Sequence, residues 1–397
     1  MSKRKTKSID VQKNKIVETL SDKPIEKSEY EIERINPTDK RILRLEAQVA
    51  ALENEKQSYR MQNKILKRKA AIFEAVVEEM QAICVPMDEL PNQYRMDCKT
   101  KYHKDEDVVM HLSDQHFDEI IEPEQVQGLE EFNFPIAMRR AENYVHRTLE
   151  ITQQTLSNYQ FKNLWLLCYG DGSNGEIHNG VSRSAYRNQF RNCFAIGQVT
   201  ALMIRDLAPY FQNVHVICVP GNHGRTTLKK DFNTPRDSWD YMIAETARML
   251  CGNLTNVDFQ IPNAYAVNVD INGHVFAIEH GDDVKSWNSI PYYGLERKSR
   301  RLAALNAAQQ LKIDYFVFGH FHNPSMLAQM GNSETIINGA WKATDPYTLA
   351  TYGSFVEPSQ WVHGIHPKQG ITWRFKVKLR SDDEKLGPKR YCVDLAS

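Results

Sequence analysis

From Ile42 onward apolar residues recur in steps of three and four: Ile42, Leu45, Val49, Leu52, Tyr59, Leu66, Ala70, Phe73, Val77 and Met80. Only Lys56 and Asn63 interrupt the ladder, and both fall at the same heptad position. This is a coiled-coil seam with polar residues at two core sites, which lower stability but fix register and strand number. Neither Gly nor Pro breaks the segment, and its other faces are charged. Pro37-Thr38-Asp39 opens it, so the pattern predicts one helix over 39–85. At about 1.5 Å per residue its apolar stretch, 42–83, would run about 63 Å. The seam predicts a homo-oligomer formed through residues 42–83; a helix folded back on the rest of the chain is the alternative.

The flanking segments read differently. Residues 1–38 are charge-rich without apolar periodicity and read as a mobile tail. Pro86, Pro91 and their polar neighbours mark a linker over 86–104. From 105 the period changes. Short β-branched or aromatic runs, at 108–112, 164–169, 214–219, 275–279 and 315–318, alternate with helical stretches at 137–159, 185–207, 239–251 and 295–311. That alternation predicts an α/β domain over 105–380 with several buried strands. Further short strands are expected at 335–338 and 371–379. The polar residues 381–397 read as a loosely held tail.

Composition narrows the class. Apolar residues make up 41% and charged residues 25%, ordinary globular usage that excludes collagen-like, disordered and membrane classes. Lys+Arg and Asp+Glu both total 50, so only local patches can favour a polyanion. No apolar run approaches the roughly 20 residues of a membrane span. The basic start Met1-Ser2-Lys3-Arg4-Lys5 lacks a following apolar region, so no secretory signal is expected. Seven scattered cysteines without a Cys-x-x-Cys pair fit a reducing cytoplasm rather than a disulfide scaffold or a zinc ribbon.

The candidate chemistry sits where the runs end. The five runs lead into Ser113-Asp114-Gln115-His116, Gly170-Asp171-Gly172-Ser173-Asn174, Pro220-Gly221-Asn222-His223-Gly224-Arg225, His280-Gly281-Asp282 and Gly319-His320-Phe321-His322. Ligands bind beyond the carboxyl ends of strands in open α/β sheets, so these clusters can converge. The donors are carboxylates, imidazoles and one amide, with no thiolate. That set suits manganese first, with iron or zinc as alternatives. Asp-x-His and His-x-His place both side chains on one side of an extended segment. With Asp171, Asn222 and His280 they suffice for two divalent ions sharing one carboxylate, a pair able to hold a phosphoryl group and activate water.

The ordered set Asp-x-His, Gly-Asp, Gly-Asn-His, His and Gly-His-x-His resembles the calcineurin-like metallophosphoesterase superfamily over roughly residues 107–345. The resemblance implies a β-sandwich flanked by helices with a dinuclear site at the strand ends. By motif it implies that Asp114, His116, Asp171 and His322 bind one metal. Asp171, Asn222, His280 and His320 would bind the other, with Asp171 bridging. His223 would stay unliganded beside the phosphate, protonating the leaving oxygen. Two departures stand out: Gly224-Arg225 where the family usually has an acid after Gly-Asn-His, and Asn174 where many members have Asp. The carboxylate that would orient His223 is therefore absent from its usual place, and Arg225 is assigned to the phosphate.

Basic residues follow the motifs. Arg183, Arg187 and Arg191 recur every four residues on a predicted helix, interleaved with Tyr186 and Phe190, and would form one face. Lys229-Lys230 follows the third motif and Arg297-Lys298-Ser299-Arg300-Arg301 the fourth. In a chain of zero net charge this favours nucleic acid as substrate, with Arg183, Arg187, Arg191 and Arg297 as contacts. The expected activity is a metal-dependent phosphodiesterase or nuclease using metal-activated water. A phosphatase of phosphoproteins or small monoesters and a non-catalytic assembly protein remain alternatives. The wording of Gly-Asn-His-Gly-Arg and of the stretch Asn338-Gly339-Ala340-Trp341 to Asp345-Pro346-Tyr347 resembles phosphoesterases encoded by bacteriophages.

Overall fold

The computed structural model describes residues 37–84, 86–87, 105–177, 185, 188–227, 234–285 and 291–393. The tail expected over 1–38 and the linker expected over 86–104 fall almost wholly outside the described residues. The chain divides into two units, Met1–Ala71 and Ile72–Ser397. The expected long helix is present as α1 (Pro37–Ile83). Its seam is bare: Ile42, Leu45, Val49, Leu52, Tyr59, Leu66 and Phe73 are each 49–69% exposed. Val77 and Met80 are half-buried. Among the described residues no helix is long and apolar enough to cross a membrane.

The second unit runs β1 (Asp107–Leu112), α2 (Phe134–Leu149), β2 (Asn163–Tyr169), α3 (Gln189–Leu207), β3 (Asn213–Val219), α4 (Trp239–Leu250), β4 (Val257–Gln260), β5 (Ala266–Ile271) and β6 (His274–Glu279). It continues with α5 (Tyr292–Ala307), β7 (Tyr315–Phe318), β8 (Ser325–Ala328), β9 (Glu334–Ile337), α6 (Pro346–Tyr352), β10 (Ser359–His366) and β11 (Gly370–Lys378). One sheet has the order β11-β10-β1-β2-β3-β4 and the other β5-β6-β7-β9-β8. β1 to β4 are mutually parallel, as are β6, β7 and β9.

Alternation along the strands sorts the core into layers. Val109, Leu167, Tyr169, Ile217 and Val219 of the first sheet meet Phe276, Ile278 and Val317 of the second. Val108, Met110, Leu164, Leu166, Val214 and Val216 face the other way, into one cluster with Ala141, Val199, Ile204 and Ala247 of α2, α3 and α4. On the outer face of the second sheet Phe316, Phe318 and Ile337 pack with Leu295 of α5. The result is the expected β-sandwich with helices on both flanks.

Two expectations need correction. The helix expected from 185 begins at Gln189: Asn188 has extended backbone (φ −142°) and its side chain accepts the N–H groups of Phe190 and Arg191, capping the helix. The tail expected to be loose from 381 is held over its described part. Glu142 of α2 accepts backbone N–H groups of Lys389 (2.9 Å) and Tyr391 (2.6 Å), and the Tyr391 ring is buried. Glu384 pairs with Arg140 at 2.9 Å. The fully buried Arg140 also meets Glu130 at 3.1 Å and donates to the carbonyl of Trp341. Removing one partner of a buried ion pair strands the other charge at a cost of about 3–5 kcal/mol. Arg140→Leu should lower unfolding free energy by about that amount, read in urea titrations; a loss under about 1 kcal/mol would mean that Glu130 and Glu384 find other partners.

Candidate metal centre

Every residue singled out by the strand-end motifs lies on one side of the two sheets, where parallel strands end together. Asp114 and His116 follow β1, Asp171 follows β2, and Asn222 and His223 follow β3. His280 follows β6, and His320 and His322 follow β7. The chain turns abruptly at these ends. Asp114 (φ 52°), His116 (43°), Asp171 (56°), His320 (67°) and His322 (56°) all adopt left-handed backbone. Such geometry costs a non-glycine residue about 1–3 kcal/mol and persists only where the surroundings impose it. Two glycines allow the loops to touch. A Cβ on Gly170 would lie 2.1 Å from the Gly221 nitrogen, and one on Gly221 would lie 2.2 Å from Asp171 Oδ1.

The donors form three overlapping groups whose ligand atoms lie within 4.8 Å of one another: Asp114, His116 and His322; Asp171, His280 and His320; and His116, Asp171 and His223. His322 Nε2 is 3.4 Å from Asp114 Oδ1 and 3.2 Å from His116 Nε2. His280 Nε2 lies 2.9 Å from Asp171 Oδ2 and 3.0 Å from Asn222 Oδ1. The far nitrogens are anchored. His280 Nδ1 donates to the Tyr169 carbonyl at 2.9 Å, which leaves Nε2 facing the carboxylates. Asp114 is held by Ser113 Oγ (2.6 Å) and by the His320 N–H (2.8 Å).

Asp114 and Asp171 are both buried, which alone would raise their pKa values. Neighbouring imidazoles overrule burial and hold both carboxyls below their usual range, Asp171 well below it. The converse appears on His280: burial disfavours its charge, but the adjoining Asp171 carboxylate pushes it up to about 10. Burial and the His280 charge push His320 down to about 4. Two buried carboxylates that draw a proton onto a neighbouring imidazole require cationic charge, and converging imidazole nitrogens and carboxylate oxygens are donors for divalent metal. The residues therefore fit divalent ions, with His116 and Asp171 each belonging to two of the three groups.

A family model of calcineurin-like phosphoesterases matches residues 108–324, more than half of the chain. The chain belongs to that family. It is thus a metal-dependent phosphoric ester hydrolase in class. Similar solved structures include Vps29 complexed with zinc from Entamoeba histolytica (12% identity, 69% of this chain and 99% of that one, TM-score 0.26). Others are a metallophosphoesterase from Sphaerobacter thermophilus (14%, 70% and 91%, 0.28) and a 5'-nucleotidase from Candida albicans (11%, 76% and 55%, 0.29). No curated protein sequence matches.

The phosphoesterase meets its two departures from the family pattern with groups from elsewhere. Asn174, in place of an acid, serves both histidines: its carbonyl accepts His223 Nδ1–H at 2.8 Å, and its Oδ1 faces His116 Nδ1 at 3.3 Å. The carboxylate behind it is Asp118, which accepts Asn174 N–H (2.7 Å) and Ser173 Oγ–H (3.1 Å), and which burial pushes up to about 6. Asp240 of α4 accepts the N–H groups of Gly221 (2.9 Å), Gly172 (3.0 Å) and Asp171 (3.3 Å), tying the second and third motif loops together. A Cβ on Gly224 would lie 2.3 Å from Asp240 Oδ2. Neither Asp118 nor Asp240 is marked by the motifs. Asp118 continues the period-two spacing of Asp114 and His116, a usable signal; Asp240 has none beyond the Ser238 cap that opens its helix.

The expected substrate contacts divide. Arg225 donates through Nε to the Asn222 carbonyl at 2.9 Å and lines a cavity of about 190 Å³ with Asn222, His280 and Tyr265. Arg297 lines the adjoining cavity on α5. Arg183, Arg187 and Lys229-Lys230 lie outside the described residues. Arg191 is paired with Glu79 at 2.9 Å and lies in the first turn of α3; the expected face of three arginines falls mostly outside the described residues.

Asp171 belongs to two of the three donor groups, with His280 and His320 and with His116 and His223, and the family resemblance assigns it to both metals. Asp171→Ala should lower bound metal at both positions and abolish turnover, read by elemental mass spectrometry beside activity. Two ions at full occupancy in the variant would remove the bridging role.

Proposed function

We propose that this phosphoesterase hydrolyses phosphodiester bonds in nucleic acid, with a pair of divalent ions, manganese first. The supporting observation is the cavity beside Asn222 and His280: its lining includes both a guanidinium, Arg225, and an aromatic ring, Tyr265. Cation and ring together match phosphate and base. Asp114, His116, Asp171 and His322 would hold one ion and Asp171, Asn222, His280 and His320 the other. When bound, the ions supply Lewis-acid polarisation of the phosphoryl group and lower the pKa of water.

The chain's own residues do the rest. Arg225 orients the diester through its guanidinium, while the anchored Nδ1 of His223 directs Nε2 to the leaving side. A new bond forms from water oxygen to phosphorus as the ester P–O bond breaks; the His223 proton passes to the departing oxygen, the attacking water gives its proton to solvent, and His223 regains a proton from solvent. Wild type with manganese should hydrolyse bis-p-nitrophenyl phosphate and an oligonucleotide faster than p-nitrophenyl phosphate. His223→Ala should keep its metals and slow oligonucleotide cleavage by about 10²–10⁴, with a smaller loss for the p-nitrophenolate leaving group. Preference for the monoester would favour a phosphatase, and equal losses for both leaving groups would remove the acid role.

We further propose that α1 associates with a second copy of itself. The bare heptad seam supports this, since seven large apolar side chains at core positions are left in water. Leu52→Asp in the full chain should halve the mass in sedimentation equilibrium while activity persists, because a carboxylate at a core site is costly to bury. A monomeric wild type would exclude the pairing.

A further inference from the structure

Beyond the metal centre, α5 carries a site that the motifs do not include. Tyr293, Arg297 and Arg301 are spaced four apart, so they form one stripe on the helix. All three are exposed and line a cavity of about 710 Å³, a volume suited to a small organic ligand. The other cations of the helix are already engaged. Lys298 lies between Asp283 (2.6 Å) and Glu279 (3.1 Å), and Arg300 pairs with Glu296 (2.5 Å). Among the described residues Arg297 and Arg301 have no such anionic partner. Like charges four apart on a helix repel, so the stripe holds an electrostatic cost that an anion would remove.

The wall opposite is built to stay close. A Cβ on Gly294 would lie 2.3 Å from the Lys285 carbonyl, so only glycine lets the backbone after His280 close against α5. That contact sets Lys285 on the rim as a third cation. The cavity shares Asp283 and Lys298 with the smaller cavity beside Asn222, His280 and Arg225, so the two abut. A ligand reaching from one to the other passes Lys298, which is held between the carboxylates of Glu279 and Asp283, and meets Arg297 and Arg301 beyond it.

We propose that this stripe is a second nucleotide subsite: Arg297 and Arg301 take a phosphate distant from the scissile one, and a base stacks on Tyr293. The ligand is a flexible single strand with several phosphates. This rests on the nucleic-acid reading of the metal centre and adds to it a substrate of more than one nucleotide.

Binding of fluorescein-labelled oligothymidylates in EDTA, followed by polarisation across a salt series, tests the subsite without turnover. Affinity for wild type should rise with length beyond a dinucleotide. Arg297→Gln with Arg301→Gln, at unchanged thermal unfolding, should flatten log Kd against log salt by about 1.4 units, two contacts on a single strand. Tyr293→Ala should weaken binding about tenfold, within the usual range for one stacked base. Arg300→Gln removes the same charge one residue away and should change little. Affinity independent of length, an unchanged slope in the double variant, or an equal loss in Arg300→Gln would overturn the subsite. A phosphoserine peptide of equal charge that competes as well as the oligonucleotide would also overturn it. If strands bind with the predicted pattern but manganese-loaded wild type leaves them intact, the subsite stands and the hydrolytic reading falls. Cleavage without the pattern gives the converse.

Discussion

Two carboxylates, Asp114 and Asp171, are buried side by side, and the surrounding structure answers to that constraint. Each would be costly alone in an apolar interior. Imidazoles from β6 and β7 of one sheet approach carboxylates from β1 and β2 of the other, so the site exists only where the two sheets are in register. Left-handed backbone at five of the donors is the local expression of this demand. A strand that continued straight would carry its donor past the site; a sharp turn at its last residue brings the donor back. The strain is tolerated because hydrogen bonds fix each turn from outside, as the Asp114 and Gln115 N–H groups do on the carbonyls of Gly170 and Asp171.

The supports beneath the donors explain several buried polar residues that a hydrophobic core would not select. Ser113, Asn338 and Gln360 form one network: Asn338 donates to Ser113 Oγ at 3.0 Å, and Gln360 donates to the Gly339 carbonyl at 2.6 Å. Gln360 sits in β10, the strand that pairs with β1. Arg140 reaches the same region from α2 through the Trp341 carbonyl, while the Trp341 N–H bonds the Asp114 carbonyl at 3.1 Å. Folding stability and metal geometry therefore share residues, and a helix remote from the chemistry helps fix a ligand's backbone.

This division accounts for what the sequence discloses. The five motif strands fall within a residue of their expected places, because a buried run followed by a glycine turn and a metal donor is a local pattern. The convergence of the candidate donors is legible for the same reason. β10 carries no strand signal because Ser359, Gln360 and His363 are polar residues buried in it, which erases the apolar alternation. α3 starts at Gln189 rather than at 185 because Asn188 caps it, a signal that the four-residue arginine spacing outweighs in the sequence. Asp240 and Asp118 matter through contacts set by tertiary packing, and Asp240 lies 69 residues from the Asp171 N–H it accepts. The polar C-terminal segment resembled a tail because its partners, Glu142 and Arg140, are charged residues far away in sequence.

The basic cluster at 297–301 shows the limit of charge counting most clearly. As a string it is a uniform patch of four cations. Wound into α5, it separates by angle. Lys298 turns toward Glu279 and Asp283, Arg300 toward Glu296, and only Arg297 and Arg301 share a face with Tyr293. The neutral net charge of the chain is thus compatible with a localised attraction for phosphate. What matters is which cations the fold leaves without a carboxylate, and helical period decides that here more than composition does. The same sorting separates Arg191, spent on Glu79, from Arg225, whose Nε is held by the Asn222 carbonyl beside His280.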